Sequence, residues 1–431
     1  MTNSNSKKFV PCIYLYREHA VRSLKDTTIV DTDPLRLIRL YNENNADELI
    51  LFDMSETDAE HDANLDIMKE ICSLAEMDVI GAGNIKRMED VKKILYTGCK
   101  RAILDYEKDS NIQITEEVSL KFGKEKIWIS YNDPSVIQAN SELIDRYVSG
   151  MVLMNPHQIR ETMAVTSLPF LVQINQIALN KLIEIFAYEG VCGITGNTIN
   201  DNIKDILSLK DLCLENDIAV ETLRAAYQWK DFKKNNDGMV PVVVQDYKTS
   251  EVLMVAYMNE EAYLETLRTG KMTYYSRSRQ ELWLKGATSG HFQYVKCLTA
   301  DCDMDTILAK VSQVGAACHT GSKSCFFHEI AKKDYQESDN PLQVFEEVFD
   351  VIKDRRIHPK EGSYTNYLFD KGIDKILKKL GEEATEIVIA AKNPNPNEVK
   401  YEISDFLYHM MVLMAEKNVT WEDITTELAN R

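Results

Sequence analysis

The sequence predicts three successive folds: an N-terminal α/β domain of the (β/α)8 barrel kind, a compact strand-rich α+β domain in the middle, and an all-α helical bundle at the C-terminus. Three observations carry this. Short apolar runs alternate with longer amphipathic ones over the first 220 residues; strand-like alternation follows the polar break KDFKKNNDG; and the last hundred residues repeat apolar positions every three or four residues. A chain of 431 residues with 44% hydrophobic content has apolar material for several cores.

In the first region FVPCIYL, DELILFDM, VIGAG, RAILD, KIWISY, GMVLM, PFLVQI and VCGIT give eight candidate strands. Helix-length segments such as PLRLIRLYN, ANLDIMKEICSLA and MEDVKKILYTG separate them. A count of eight favours a closed barrel over an open doubly wound sheet, which is the alternative. The barrel is expected over residues 1–228. After KDFKKNNDG, the run MVPVVVQDYKTSEVLMVAYM reads as two strands joined by the turn DYKTS. MTYYSRSR, LWLKGAT and FQYVKCLTADCDMD continue the alternation to about residue 330, so the middle domain is expected over 239–330. The polar stretch AKKDYQESDN then leads into NPLQVFEEVFDVI, GIDKILKKLGEEATEIVIAA and EVKYEISDFLYHMMVLMAEK, three amphipathic helices of a bundle over 340–431, the last two separated by NPNPN.

A formal charge of −18 argues against a non-specific nucleic-acid binder, which needs clustered Lys and Arg, and suits small metal-chelated substrates. Nine cysteines in a long chain do not make the paired framework of a small secreted domain, so a reducing cytoplasm is expected. The N-terminus lacks a signal-peptide pattern, and no apolar run approaches the roughly 18 residues of a membrane helix.

The segment DCDMDTILAKVSQVGAACHTGSKSC mixes hard and soft ligands. On a strand, Asp301, Asp303 and Asp305 would line one face and Cys302 the other. Three carboxylates so close repel one another unless a cation sits among them, and all-oxygen ligation suits Mg²⁺. Cys302, Cys318 and Cys325 supply three thiolates, which suit Zn²⁺ and leave a fourth position for a water whose lowered pKa makes it a nucleophile. His319 is a candidate proton carrier beside Cys318, and His291 a second acid or base. The bland alternatives are an exposed loop and buried structural cysteines.

These residues resemble the motifs of phosphoribosyl-AMP cyclohydrolase: DCDMDTIL, VSQVGAACHTGSKSCFF, WLKGATSGHFQ and YYSRSR cover nearly all of 239–330. The resemblance implies Mg²⁺ on Asp301, Asp303 and Asp305, and Zn²⁺ on Cys302, Cys318 and Cys325. It also implies a zinc site built across a homodimer, with Cys302 from one subunit and the other two thiolates from its partner. The implied reaction is hydrolytic opening of the adenine ring between N1 and C6. Arg277, Arg279 and Lys285 are candidate phosphate partners, with the glycines of KGATSG letting backbone N–H groups approach an anion.

In the last region GEEATE places Glu382, Glu383 and Glu386 within about one helical turn, and EISD places Glu402 and Asp405 three apart on the next helix. Facing each other they would chelate Mg²⁺; the ordinary alternative is a solvated helix face. The pattern resembles the all-α nucleotide pyrophosphohydrolases, and RRIHPKEGSYTNYLFDKGIDKILKKLGEEATEIVIAA resembles phosphoribosyl-ATP pyrophosphatase in particular. That implies Mg²⁺ ligation by Glu383, Glu386, Glu402 and Asp405 with Glu382 beside them, and a catalytic role for Glu383 and Glu386. Lys375, Lys378, Lys379 and Arg355 are the candidates for neutralising phosphate charge.

VPCIYL, YNENNADELILFDMS and VIGAGNI resemble the histidine-biosynthesis barrels, especially the cyclase subunit of imidazole glycerol phosphate synthase. That family's two catalytic aspartates sit at the ends of the first and fifth strands, where this chain has Tyr14 and Ser130 or Tyr131. Of the late glycine pattern that binds phosphate, only GITGN at 193–197 remains. The barrel is therefore expected to be catalytically silent, with Asp53 as the alternative base. Together these readings predict a cytoplasmic homodimer, joined through its middle and C-terminal domains, that converts phosphoribosyl-ATP to phosphoribosyl-AMP and then opens the ring. The rivals are a zinc-containing regulatory binding protein and a house-cleaning nucleotide pyrophosphatase.

Overall fold

The computed structural model describes residues 6–178, 180–331 and 343–429. They form two compact units, Met1–His328 and Glu329–Arg431. The predicted linker AKKDYQESDN lies outside the described residues except for Ala331.

All eight expected strands form, and each pairs in parallel with the next: Cys12–Tyr16, Glu48–Asp53, Asp78–Ala82, Arg101–Asp105, Ile127–Tyr131, Gly150–Leu153, Phe170–Gln173 and Val191–Thr195. The sheet curls strongly. Its last strand pairs with Lys8–Val10, which leads directly into Cys12–Tyr16 at the other end. Pro11, which has no N–H to donate, separates the two segments, so one interrupted strand serves both margins of the curl.

Alternation along these strands divides their side chains into two sets. Val10, Cys12, Tyr14, Ile50, Phe52, Ile80, Ile103, Trp128, Val152 and Leu171 pack on one another inside the curl, while Ile13, Leu15, Leu49, Leu51, Ile129 and Val172 pack under the helices. An antiparallel hairpin, His19–Ser23 with Asp26–Asp31, extends the sheet beyond the expected strands. The tight turn that joins it to Cys12–Tyr16 is made by Arg17 and Glu18, both at positive φ, and so carries none of the Asn-Gly chemistry that advertises such turns in sequence.

The middle region builds a four-stranded sheet in the order Val252–Met258, Val240–Asp246, Ile307–Gln313, Gln293–Ala300, with a two-stranded ribbon of Thr273–Ser276 and Glu281–Leu284. Helix Glu260–Thr269 is capped by the Asn259 side chain and ended by Gly270 in the left-handed region. Its core, with Val240, Val242, Val244, Ile307, Ala309 and Val311, is separate from those of the curled sheet.

The second unit contains the three expected helices, Gln343–Ile357, Ile373–Ala390 and Pro396–Glu416, and two shorter ones, Tyr364–Lys371 and Trp421–Ala429. The short pair is only two or three turns long, too brief for periodicity to stand out. Phe349, Ile352, Leu368, Ile376, Met411 and Val412 form the core. No described helix is long and apolar enough to cross a membrane.

Candidate functional site

The aspartates converge, but not on a strand face as the spacing suggested. Strand Gln293–Ala300 stops before Asp301, and 301–305 is the turn that leads into Ile307–Gln313. The reason is local hydrogen bonding: the Asp301 carboxylate accepts from Asp305 N at 3.0 Å and Thr306 N at 3.1 Å, and Met304 adopts φ 64°. This folds the chain so that carboxylate oxygens of exposed Asp301, Asp303 and Asp305 lie within 4.8 Å of one another. Desolvation opposes ionisation of Asp301, yet the backbone N–H groups of Thr306 and Asp305 hold its carboxyl below the ordinary range.

Of the three cysteines, Cys318 and Cys325 lie near enough to shift each other's ionisation. Cys318 is buried, and the Thr320 hydroxyl donates to its sulfur at 3.1 Å, lowering the thiol pKa. Desolvation, followed by the neighbouring Cys318, pushes Cys325 up. Lys285 is buried beside both sulfurs and donates to Ala317 O at 2.5 Å; desolvation lowers its pKa against the pull of the two thiols. Cys302 sits on the exposed aspartate turn, and among the described residues no group of three ligands within coordination distance includes it.

His319 is exposed, with Nδ1 3.9 Å from the Cys318 sulfur. His291 is half-buried against Gly315, where a Cβ would come within 2.7 Å of the imidazole, so this close approach requires glycine. Gly286, at φ 94°, likewise lets the backbone pass Phe292 N. Arg277 lies 4.0 Å over the Tyr257 ring, and Arg279 pairs with Glu281 at 3.2 Å; both are exposed.

In the helical unit, Glu383 on Ile373–Ala390 meets Glu402 and Asp405 on Pro396–Glu416, with carboxylate oxygens within 4.8 Å. Glu386, one turn beyond Glu383, interacts with Glu402. Desolvation, and then Glu386, Glu383 and Asp405, raise the Glu402 pKa, as expected for carboxylates crowded without a cation. Glu382 points elsewhere: it pairs with Lys379 at 3.0 Å and Lys378 at 3.6 Å. Lys379 also reaches Glu383 at 3.4 Å. Lys375 is half-buried, and Arg355 pairs with Asp354 at 2.7 Å.

His409 was not anticipated. It is 4% exposed, its Nδ1 lies 2.8 Å from Asp405 O and 3.6 Å from Glu383 Oε1, and Nε2 lies 3.1 Å from the Tyr364 hydroxyl. Donation from Nδ1–H to the carbonyl leaves Nε2 to accept from Tyr364. The signal was present in SDFLYH, which sets His409 four residues after Asp405 on one helical face. Thr320, two residues after Cys318, was overlooked in the same way.

At the C-terminal ends of the curled-sheet strands, Tyr14 is fully buried, stacked 5.0 Å from Phe52 with its hydroxyl accepting from Gln173 at 3.3 Å. Tyr131 is fully buried and Ser130 is 8% exposed. Asp53, named as an alternative base, accepts from His61 Nδ1 at 2.5 Å, Asn64 Nδ2 at 2.7 Å, and Ser55 N and Oγ at 2.9 and 3.0 Å. Desolvation is outweighed by these four donors, which lower its pKa and commit the carboxylate to tying helix Asp58–Leu74 to its strand.

Three family models match the chain: Histidine biosynthesis protein over residues 8–167, Phosphoribosyl-AMP cyclohydrolase over 254–327 and Phosphoribosyl-ATP pyrophosphohydrolase over 345–431. The latter two contain the aspartate–cysteine and two-helix clusters respectively. The "Histidine biosynthesis bifunctional protein HisIE" of Thermoanaerobacter pseudethanolicus is 53% identical over 210 residues, covering 46% of this chain and 97% of the relative. The protein of the same name from Oceanobacillus iheyensis is 52% identical over 45% of this chain and 88% of its own length. That from Bacillus subtilis is 47% identical over 47% and 96%. With almost the whole of such relatives matched at this identity, the chain belongs to the family of histidine biosynthesis bifunctional proteins HisIE, and is an enzyme with cyclohydrolase and pyrophosphohydrolase domains.

Proposed function

We propose that the chain performs two consecutive hydrolyses, phosphoribosyl-ATP to phosphoribosyl-AMP and pyrophosphate in the domain over 340–431, then opening of the N1–C6 bond of phosphoribosyl-AMP in the domain over 239–330. The observation that carries this reading is that each matched hydrolase segment contains its own convergent ligand cluster.

In the pyrophosphohydrolase domain, Glu383, Glu386, Glu402 and Asp405 are the residues that would hold Mg²⁺. The carboxylate crowding that raises the Glu402 pKa fits a cation site. Magnesium supplies polarisation of the phosphate oxygens and orientation of water. Around it, His409 lies behind Glu383 and Asp405 and accepts from Tyr364, which ties helix Tyr364–Lys371 to Pro396–Glu416 at that point. Lys379, with Lys375 and Lys378 on the same helix and Arg355 on helix Gln343–Ile357, provides cationic charge for the triphosphate. Glu382 we assign to orienting Lys379 rather than to the metal.

In the cyclohydrolase domain, Asp301, Asp303 and Asp305 would hold Mg²⁺, and Cys318 with Cys325 would hold Zn²⁺. An acidified, buried thiol next to a second one is a donor set that fits a soft cation. Zinc supplies an activated water. Because Cys302 stands apart from this pair, we assign the third thiolate to a partner subunit and read the enzyme as a homodimer. His319, exposed beside Cys318, is placed to carry the proton to and from the reacting ring, with His291 as a second candidate. Arg277 and Arg279, on the exposed turn of the ribbon, are the candidates for the substrate's phosphates.

The curled sheet we read as a closed (β/α)8 barrel over 1–228, related to the cyclase subunit and without chemistry of its own. The Tyr14–Phe52 stack occupies the space of the first catalytic carboxylate, and no acid stands at Ser130 or Tyr131. We place the enzyme in the cytoplasm. The decisive experiment gives purified full-length protein phosphoribosyl-ATP with Mg²⁺ and Zn²⁺ and identifies the product by mass and ultraviolet spectrum. A ring-opened product is expected. Accumulation of phosphoribosyl-AMP would refute the second activity, further isomerisation the silent barrel, and no turnover the whole reading.

A further inference from the structure

We infer that the floor of the barrel braces the cyclohydrolase domain, with Glu76 as a positioning residue for the hairpin whose tip carries Asp301, Cys302, Asp303 and Asp305. This deepens the proposed role of the silent barrel and rests on that reading.

Glu76 lies between helix Asp58–Leu74 and strand Asp78–Ala82, at the end of the barrel opposite Tyr14 and Ser130. Its carboxylate pairs with Lys296 Nζ at 2.6 Å and accepts from Ser312 Oγ at 2.6 Å. Those two partners stand on the two strands of one hairpin, Gln293–Ala300 and Ile307–Gln313, whose connecting turn is the aspartate cluster. Lys296 is special within it. The pairing runs Val295↔Val311 and then Cys297↔Lys310, which leaves Lys296 as the extra residue of a β-bulge. A bulge breaks strand alternation and re-aims a side chain, and this one turns Lys296 onto the barrel. The ion pair is also sheltered, with side chains 29% and 18% exposed, so water and salt screen it less than a surface pair.

Further contacts fix the same face. Asn45 Nδ2 donates to Thr269 O at 2.5 Å, and Lys271 Nζ donates to Glu43 O, tying a second barrel-floor loop to the end of helix Glu260–Thr269. At the other end of the hairpin, Lys233 N donates to Met304 O at 2.7 Å, so the segment leaving the barrel holds the tip while Glu76 holds the base. Relatives matched over 97% of their length by only 46% of this chain have no room for such a barrel, which makes the brace an addition of this chain.

The test compares full-length wild type with Glu76→Ala and Lys296→Ala, using phosphoribosyl-AMP and phosphoribosyl-ATP as substrates. Displacing the turn is expected to lower kcat for ring opening on the order of tenfold, with KM changed less than about twofold. Pyrophosphate release from phosphoribosyl-ATP should be unaffected, and backbone amides of 301–306 should exchange hydrogen faster. The reversed pair, Glu76→Lys with Lys296→Glu, should recover most of the lost rate. Wild-type ring opening and exchange in both single variants would overturn the brace. So would parallel loss of both activities with early melting, the mark of general destabilisation. Should wild type fail to open the ring, the functional reading falls by itself, and amide exchange at 301–306 still decides whether Glu76 holds the turn.

Discussion

Asp301, Asp303 and Asp305 stand within five residues on one exposed turn, whereas Glu383, Glu402 and Asp405 come from two helices and include a carboxylate only 4% exposed. The turn organises itself through its own backbone N–H groups and leaves its carboxylates open to solvent. The helical cluster is held by packing, with His409 and Tyr364 behind it. A local cluster therefore depends on what grips the turn from outside, while a cluster between helices is preorganised once the helices pack. The same contrast separates the thiols: Cys318 and Cys325 neighbour each other, but Cys302 travels with the aspartate turn.

The two centres are expected to work independently, and reciprocal variants test this with the largest effects. Cys318→Ala removes the thiol around which Thr320, Cys325 and Lys285 are arranged. It should abolish ring opening, on the order of a thousandfold or more, while leaving pyrophosphate release intact. Rates followed separately on phosphoribosyl-AMP and phosphoribosyl-ATP measure this, and joint loss would show that the centres are not separable. Glu383→Gln is the converse. It keeps the shape of the buried side chain but removes the charge that faces both Lys379 and His409, so pyrophosphate release should fall on the order of a hundredfold with ring opening unchanged. An undisturbed rate in that variant would return the two-helix cluster to an ordinary acidic surface.

How legible each centre was follows from the same contrast. Asp301, Asp303 and Asp305 could be read from spacing because ligands and scaffold share five residues, yet the strand assignment failed: the Asx-type bonds from Asp305 and Thr306 outweighed alternation. The eight core strands were legible from their apolar runs; the hairpin His19–Asp31 was not, since Arg17 and Glu18 make the turn into it from Cys12–Tyr16 without glycine. Glu383, Glu402 and Asp405 were legible as helix faces, but which carboxylates converge depends on how two helices rotate against each other. That rotation puts Glu382 on lysines and His409 inside. The Glu76 contacts were illegible, because they join residues more than 200 positions apart.

His409 tests whether the helical cluster is preorganised from behind. In His409→Ala the bonds to Asp405 O and Tyr364 vanish without removing a carboxylate. The Mg²⁺ concentration for half-maximal pyrophosphate release should then rise about 10- to 100-fold, the usual cost of losing a group that orients metal ligands. Tyr364→Phe, which leaves the Nδ1 bond in place, should shift it less. If the Mg²⁺ dependence of His409→Ala matches wild type, packing alone holds the ligands and the histidine is only a core residue.

The smallest effect is expected at Glu382, adjacent in sequence to Glu383 but opposite to it in role. Its carboxylate is engaged by Lys379 and Lys378, so Glu382→Gln subtracts charge from an exposed lysine network and leaves Glu383, Glu402 and Asp405 facing one another. Solvent-screened pairs of this kind contribute little, and pyrophosphate release should change less than about threefold, with an unaltered Mg²⁺ requirement. A large loss would mean something definite. Lys379 bridges Glu382 and Glu383, so transfer of its ammonium to the triphosphate would release both carboxylates together. Glu382 would then join the metal only in the substrate complex, and its variant would show a raised Mg²⁺ requirement during turnover but normal Mg²⁺ binding without nucleotide. Measuring both quantities on one variant therefore separates a lysine-orienting glutamate from a ligand recruited by substrate.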